Sequence, residues 1–166
     1  KEPVKIYAVQ IENTLPTKNN SIKDISQKNQ LDNNATEKAG NKSIAVLPFV
    51  NMSNDPDQEY FSDGITEEIL NSLAHVKALR VAGRTSSFYF KGKNIDLREI
   101  GKQLNVNTVL EGSVRKQGQT LRVTAQLINV DEGYQLWSEK YDRGMDDLFA
   151  IQDEIALAIT EELKIT

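Results

Sequence analysis

The spacing of apolar residues changes along the chain, and each change predicts a different element. Ser43–Phe49 is an almost continuous apolar run, typical of a strand covered on both faces. We expect Pro48 to end its ladder, because proline has no backbone N–H to donate. Apolar residues then recur at three- and four-residue spacing, which predicts an amphipathic helix against a sheet. The stripe consists of Phe61, Ile65, Ile69, Leu73 and Val76.

The start of this helix carries the usual signals. Asp55 suits an N-cap, Pro56 suits the first helical position, and Gln58 stands where a capping box places its amide. Gly64 lies within the helical pattern and costs about 1 kcal/mol relative to alanine in a helix interior. We therefore expect a kink at Gly64, or two short helices.

A second strand and a second helix follow. Leu79–Gly83 has the composition of a strand, and the order strand, helix, strand favours parallel pairing through a right-handed crossover. Asp96, with Glu99 three residues on, marks the next helix start. Its apolar positions are Leu97, Ile100 and Leu104.

The period then changes to two. Thr108–Arg115 and Leu121–Asn129 are predicted strands, joined as a hairpin through Lys116–Gln119. One face of the second strand is apolar and the other polar. The apolar face holds Leu121, Val123, Ala125 and Leu127, and the polar face holds Arg122, Thr124 and Gln126. A further turn leads into a third strand, Tyr134–Tyr141.

A closing helix completes the pattern. Asp146 or Asp147 is expected to cap it. Its stripe holds Leu148, Ile151, Ile155, Ile159 and Leu163. The predicted order is βαβαβββα, an α/β domain with helices packed on a mixed sheet.

The first 41 residues have a different composition. Glu12–Asn41 is rich in Asn, Lys, Ser, Thr, Gln and Asp, without a sustained apolar period, so we expect a flexible linker. Val4–Ile11 has strand-like composition and suits an edge strand, the tail of an unseen upstream element, or part of a disordered tether. Residues 1–41 are thus assigned to a linker that would follow a membrane segment, and residues 42–166 to the folded domain. The chain starts without methionine and stops within a helical pattern, as expected for a piece of a longer protein.

Composition and charge narrow the functional classes. A net charge of -4 disfavours nucleic acid and acidic membrane surfaces as partners of the whole domain. The absence of cysteine excludes a disulfide framework, a thiolate nucleophile and a cysteine metal site. No apolar run approaches the roughly 20 residues that span a bilayer.

No residue set points to catalysis, a metal or a cofactor. His75 is the only histidine, and no G-x-S-x-G motif accompanies Ser86 and Ser87, so we interpret it as a surface histidine at a helix end. The two serines suit a loop or strand end. Asn51–Asp57 is rich in oxygen ligands but lacks EF-hand spacing, so we interpret it as a turn and N-cap. No glycine-rich phosphate loop is present.

An aromatic and basic segment, Phe88–Lys93, is the best candidate for binding a protein partner, together with Arg115 and Lys116. Such residues on a sheet also suit stacking with nucleic-acid bases, which the acidic charge disfavours. Phe88 and Phe90 are expected to pack in the core as part of a half-buried strand. The predicted partner-binding residues are Tyr89, Lys91, Lys93, Arg115 and Lys116. Trp137 and Tyr141 are expected to be core anchors.

Four sequence segments carry a family resemblance, and they occur along the chain in this order: KSIAVLPFVNMS, EYFSDGITEEILNSL, VLEGSVRKQGQTLRVTAQLINVDEGYQLWSEKYDR and LFAIQDEIALAI. From Lys42 to its end the chain resembles the TolB amino-terminal-like domain of bacterial regulatory and signalling proteins. Such domains lie beside membrane segments, DNA-binding domains or nucleotide cyclases, and are often followed by tetratricopeptide repeats. The family has no assigned catalytic residues to carry over.

The resemblance implies a non-catalytic protein-interaction domain whose partners are proteins or adjacent domains of the same chain. The alternative is a ligand-sensing domain that binds a small molecule or peptide and relays to an output domain. The expected location is periplasmic, with membrane contact only through an unseen upstream anchor, and the alternative is cytoplasmic.

Overall fold

The computed structural model describes residues 42–165. The predicted linker and the strand-like Val4–Ile11 lie outside this range. The strands are β1 (Ser43–Val46), β2 (Val50–Asn51), β3 (Arg80–Val81), β4 (Thr108–Gln117), β5 (Thr120–Asn129) and β6 (Tyr134–Gly144). The helices are α1 (Glu59–Ala74), α2 (Arg84–Phe88), α3 (Leu97–Leu104) and α4 (Leu148–Glu162).

The strands form one mixed six-stranded sheet. Its order is β3-β1-β4-β5-β6, with β2 also paired to β4. β1 is parallel to both β3 and β4, whereas β4, β5 and β6 form an antiparallel meander. The predicted fold class, helices on a mixed sheet, is confirmed.

Pro48 ends β1, as predicted, but it does not end the pairing with β4. The Leu47 N–H still donates to the Leu110 carbonyl at 2.9 Å, and after the proline Val50 and Asn51 pair with β4 again as β2. This two-residue strand was not predicted, because its partner lies some sixty positions away and its own sequence shows no period.

α1 starts as predicted. The Asp55 carboxylate accepts a bond from the Asp57 N–H at 2.9 Å, and a 3-10 turn at Pro56–Gln58 leads into the helix. α1 runs through Gly64 as one helix, so the alternative of two short helices was wrong. Ile65 and Ile69 are buried beside it, and their packing outweighs the cost of about 1 kcal/mol for one glycine.

The aromatic and basic segment does not form the expected strand. Arg84–Phe88 is the short helix α2, and the chain then turns through residues 89–92. Arg84 bonds Glu67 of α1 at 2.6 Å and lies over the Phe88 ring at 4.3 Å. The short helix α2 therefore makes a tertiary contact that the local sequence pattern does not show. Phe90 is buried as predicted.

The two faces of the sheet have different cores. On the face that we call the helix face, α1 and α4 cover the apolar positions of β5, all fully buried, and Ile151, Ile155 and Ile159 of α4 lie against them. Tyr141 is buried there and Trp137 partly so, as predicted for core anchors. A smaller cluster under α3 covers part of the other face, which we call the open face. It contains Ala45, Leu47, Phe90, Ile100, Val106, Val109 and Val130.

Gly112 is needed where β4 passes under Phe49. A Cβ at this position would collide with the Thr124 carbonyl oxygen and lie 2.7 Å from Cε2 of the Phe49 ring. Phe49 is buried to 1% exposure on the helix face. The glycine therefore lets an aromatic ring pack directly on the strand backbone.

Candidate functional site: a polar groove on the open face

α3 covers only one end of the open face. Beyond the apolar pair Val109 and Ile128, strand register places three rows of polar residues side by side. These rows are Glu111, Gln126 and Ser138; Ser113, Thr124 and Lys140; and Arg115, Arg122 and Asp142. No helix of residues 42–165 packs over them. The middle of the sheet is therefore open on this side.

A groove of about 970 Å³ runs over this surface. Its floor is formed by the strand residues Glu111, Ser113, Thr124 and Gln126, and residues 90–98 and the bend that joins β1 to β2 also line it. The pairing of β2 with β4 positions the bend, and the Asp96 cap, whose carboxylate accepts from the Arg98 N–H at 2.8 Å, positions residues 96–98.

Glu111 is the most unusual group in the groove. It is half-buried on the floor, and burial raises the pKa of its carboxyl above the usual value. Among residues 42–165 it has neither an ion pair nor a hydrogen bond from its side chain. A carboxylate that is partly desolvated and unpaired gains most from a ligand that brings a cation or a hydrogen-bond donor.

Three basic residues line the groove, and they differ in whether a carboxylate contacts them. Lys91 contacts Asp63 at 2.6 Å and Glu59 at 3.0 Å. Burial lowers the pKa of Lys91, but these two carboxylates outweigh it and raise the pKa above the usual value. Lys93 lies over the Tyr89 ring at 3.2 Å. Neither it nor the exposed Arg98 has a carboxylate partner in the part of the chain described.

The five predicted partner-binding residues are only partly brought together. Tyr89, Lys91 and Lys93 lie next to one another beside the groove. Arg115 and Lys116 lie far along β4, on opposite faces, with the Lys116 ammonium 5.7 Å from the Phe61 ring centroid. Whether any of the five binds a partner stays a prediction.

Neither Glu111 nor Ser113 was among the residues predicted from the sequence to form a site. The available signal was an acidic residue in the middle of a strand, between Leu110 and Gly112. Thr124 and Gln126 were correctly placed on a polar strand face. What the pattern could not show is which part of the open face α3 covers.

The candidate catalytic residues are dispersed. His75 is exposed at the end of α1, with Nδ1 2.7 Å from the Asn71 carbonyl oxygen, as expected for a helix-end histidine. Ser87 is buried in α2 and Ser86 is exposed. In the Asn51–Asp57 loop, the Asn51 side-chain oxygen accepts from the Ser53 N–H, which is turn geometry.

Within 42–165, no three His, Asp or Glu side chains cluster as a metal site would require. The helices described there are too short or too polar to cross a bilayer.

The model of the HilA/YgeH-like transcriptional regulator, second domain, matches residues 40–158. The chain belongs to this family. A relative in Rhizobium meliloti (strain 1021), named "Putative adenylate cyclase 3", is 51% identical over 123 residues, which are 74% of this chain and 21% of that protein. The chain thus spans about a fifth of the length of this relative.

Two solved structures share the fold of this family member. TolB from Acinetobacter baumannii matches with a TM-score of 0.53 and 16% identity, over 74% of this chain and 28% of TolB. The LpoB carboxy-terminal domain from Salmonella enterica matches with a TM-score of 0.51 and 16% identity, over 63% of this chain and 84% of that domain. The TolB-like resemblance is therefore confirmed as a likeness of fold.

Proposed function

We propose that this domain is a non-catalytic regulatory module that binds an extended protein segment in the open-face groove. The observation that carries the proposal is the polar floor with its unpaired, half-buried Glu111. The segment belongs to a neighbouring domain of the same regulator or to a partner protein.

The chemistry of the groove defines the segment. A lysine or arginine side chain can reach Glu111, and backbone groups can bond Ser113, Thr124 and Gln126. An acidic residue beside that cation would meet Lys93 and Arg98 at the rim. Such charge complementarity sets specificity and association rate more than total affinity.

The comparisons support a regulatory role within a longer protein. The family is described as a domain of transcriptional regulators, and the Rhizobium relative has a cyclase in its name. Because the matched part is 21% of that relative, we assign any catalysis or DNA binding to other domains. We keep the periplasmic, anchored location as the first hypothesis, on the resemblance of the sequence, and the cytoplasm as the alternative.

A small-molecule sensor is the second candidate. The volume of about 970 Å³ is at the upper end of the usual range for ligand pockets, roughly 300–1,000 Å³. A basic metabolite at Glu111 would satisfy the same carboxylate. It would raise the midpoint of thermal unfolding, because a ligand that binds only the folded state stabilises it.

The test uses a photo-crosslinking amino acid at Gln126 in the full-length parent, with Asn71, exposed on α1, as the control position. We expect a crosslink to a polypeptide from Gln126 only, and its loss with Glu111→Lys. No polypeptide crosslink, together with unchanged output in Glu111→Lys, would overturn the proposal. A thermal shift with basic metabolites that Glu111→Gln abolishes would instead support the sensor.

A further inference from the structure

β6 leaves a long backbone edge unpaired. Within residues 42–165 its only strand partner is β5, although β6 extends over eleven residues. A register shift near Leu136 disturbs its first part, and Trp137–Gly144 pairs regularly. Free edges of this length usually pair with another strand or carry devices that prevent pairing.

Acidic and basic residues on this edge are arranged so that opposite charges face each other when two copies of the edge pair. When two identical strands pair antiparallel around a two-fold axis, each residue meets the one at equal distance across the centre. If both copies keep their helices on the same side, the centre must fall on a residue, because side chains alternate with a period of two.

Of the five residues Glu139–Arg143, Tyr141 is the one that can lie at the centre without placing a charged residue against its own copy. With Tyr141 at the centre, Glu139 lies opposite Arg143 and Lys140 lies opposite Asp142. A centre at Glu139, Lys140 or Asp142 places that residue against its own copy. Like charges directly opposite destabilise a strand pair, whereas opposite charges contribute about 0.2–1 kcal/mol each.

The charged side chains at the centre of this pairing are accessible to a second copy. The side chains of Lys140 and Asp142 are 58% and 44% exposed, and their mutual distance of 3.8 Å within one copy is long for an ion pair. Arg122 holds Asp142 at 2.6 Å and Glu154 holds Arg143 at 2.7 Å. These contacts fix the two side chains along β6 and leave carboxylate lone pairs and guanidinium N–H groups for a second partner.

We propose that two copies of this chain join their β6 edges around Tyr141 to form one continuous sheet. The two-fold axis is perpendicular to the sheet, so the open faces of both copies lie on the same side. Two grooves then face one direction, which suits a partner with two binding segments. This inference does not depend on what the groove binds.

The decisive experiment uses two variants with opposite charge defects. Lys140→Glu carries acidic residues at both positions 140 and 142, and Asp142→Lys carries basic residues at both. Sedimentation of the full chain should show a dimer for the wild type, and monomers for each variant alone. An equal mixture of the two should restore the dimer, because each acidic edge then meets a basic one. Glu161→Lys on α4 is the matched control and should leave dimerisation unchanged.

A second readout exploits the absence of cysteine in the chain. Lys140→Cys and Asp142→Cys, mixed and oxidised, should form the mixed disulfide in preference to either symmetric one. A wild type that stays monomeric over the accessible concentration range would overturn the proposal. So would a dimer that persists in both single charge variants, or a mixture that fails to associate although both variants are folded.

Discussion

The helix face and the open face of the sheet are built by alternate residues of the same strands, yet they differ in burial and in polarity. On β5, Val123 and Ala125 are fully buried under helices, while their neighbours Thr124 and Gln126 border a groove. The helix face contains the larger core. Its packing can therefore carry most of the stability of the domain, and the open face can keep polar groups such as the partly desolvated Glu111.

The largest expected effect lies on the helix face. Ile155→Ala should lower the free energy of unfolding by about 2–5 kcal/mol, because a fully buried aliphatic side chain is replaced by a cavity. Denaturant unfolding measures this, and the exposed Glu161→Ala should be nearly silent. An unchanged midpoint in Ile155→Ala would mean that α4 is not part of the core.

A smaller loss of stability is expected at Gly112 of β4, where the Phe49 ring packs directly on the strand backbone. Gly112→Ala should destabilise the domain by about 1–3 kcal/mol, the usual cost of overpacking, because its Cβ meets the Phe49 ring and a backbone carbonyl.

Gly64→Ala is the control for Gly112→Ala, since a Cβ there has no atom within 4 Å. It should stabilise α1 by about 0.5–1 kcal/mol, the difference between glycine and alanine in a helix. Equal destabilisation by both substitutions would show that close packing at Phe49 is not the cause.

The smallest effect concerns the open face and depends on pH. Because burial raises the pKa of Glu111, the folded chain holds this proton more tightly than the unfolded chain does. Its contribution to stability falls as pH rises through the interval between the usual and the raised pKa, and stays lower above it.

Glu111→Gln should accordingly be more stable than the wild type at neutral pH, and this advantage should shrink as the pH falls to about 4, near the usual pKa of glutamate. Urea unfolding at a series of pH values measures it, with exposed Glu132→Gln as the control for removing one charge. A neutral-pH loss of stability in Glu111→Gln would show that the carboxylate is stabilised by its surroundings.

The sequence predicted the helix face better than the open face. The stripes of α1 and α4 and the alternation in β5 extend over many residues, and the Asp55 and Asp96 caps mark helix starts locally. β2 and α2 are short, and the residues that they contact are distant in sequence, so no local period predicts them. The groove was not predicted because it depends on which part of the sheet α3 covers, which is a property of packing.

β1 is the first strand of residues 42–165 yet lies in the middle of its sheet, between β3 and β4. Ile44 pairs with Val81 and with Thr108, so both neighbours must be brought in across long stretches of chain. Closing such loops costs entropy before any contact is gained, which slows assembly. During synthesis, the first of the described strands to leave the ribosome therefore waits for β4, while the meander of β4, β5 and β6 forms from neighbours in sequence.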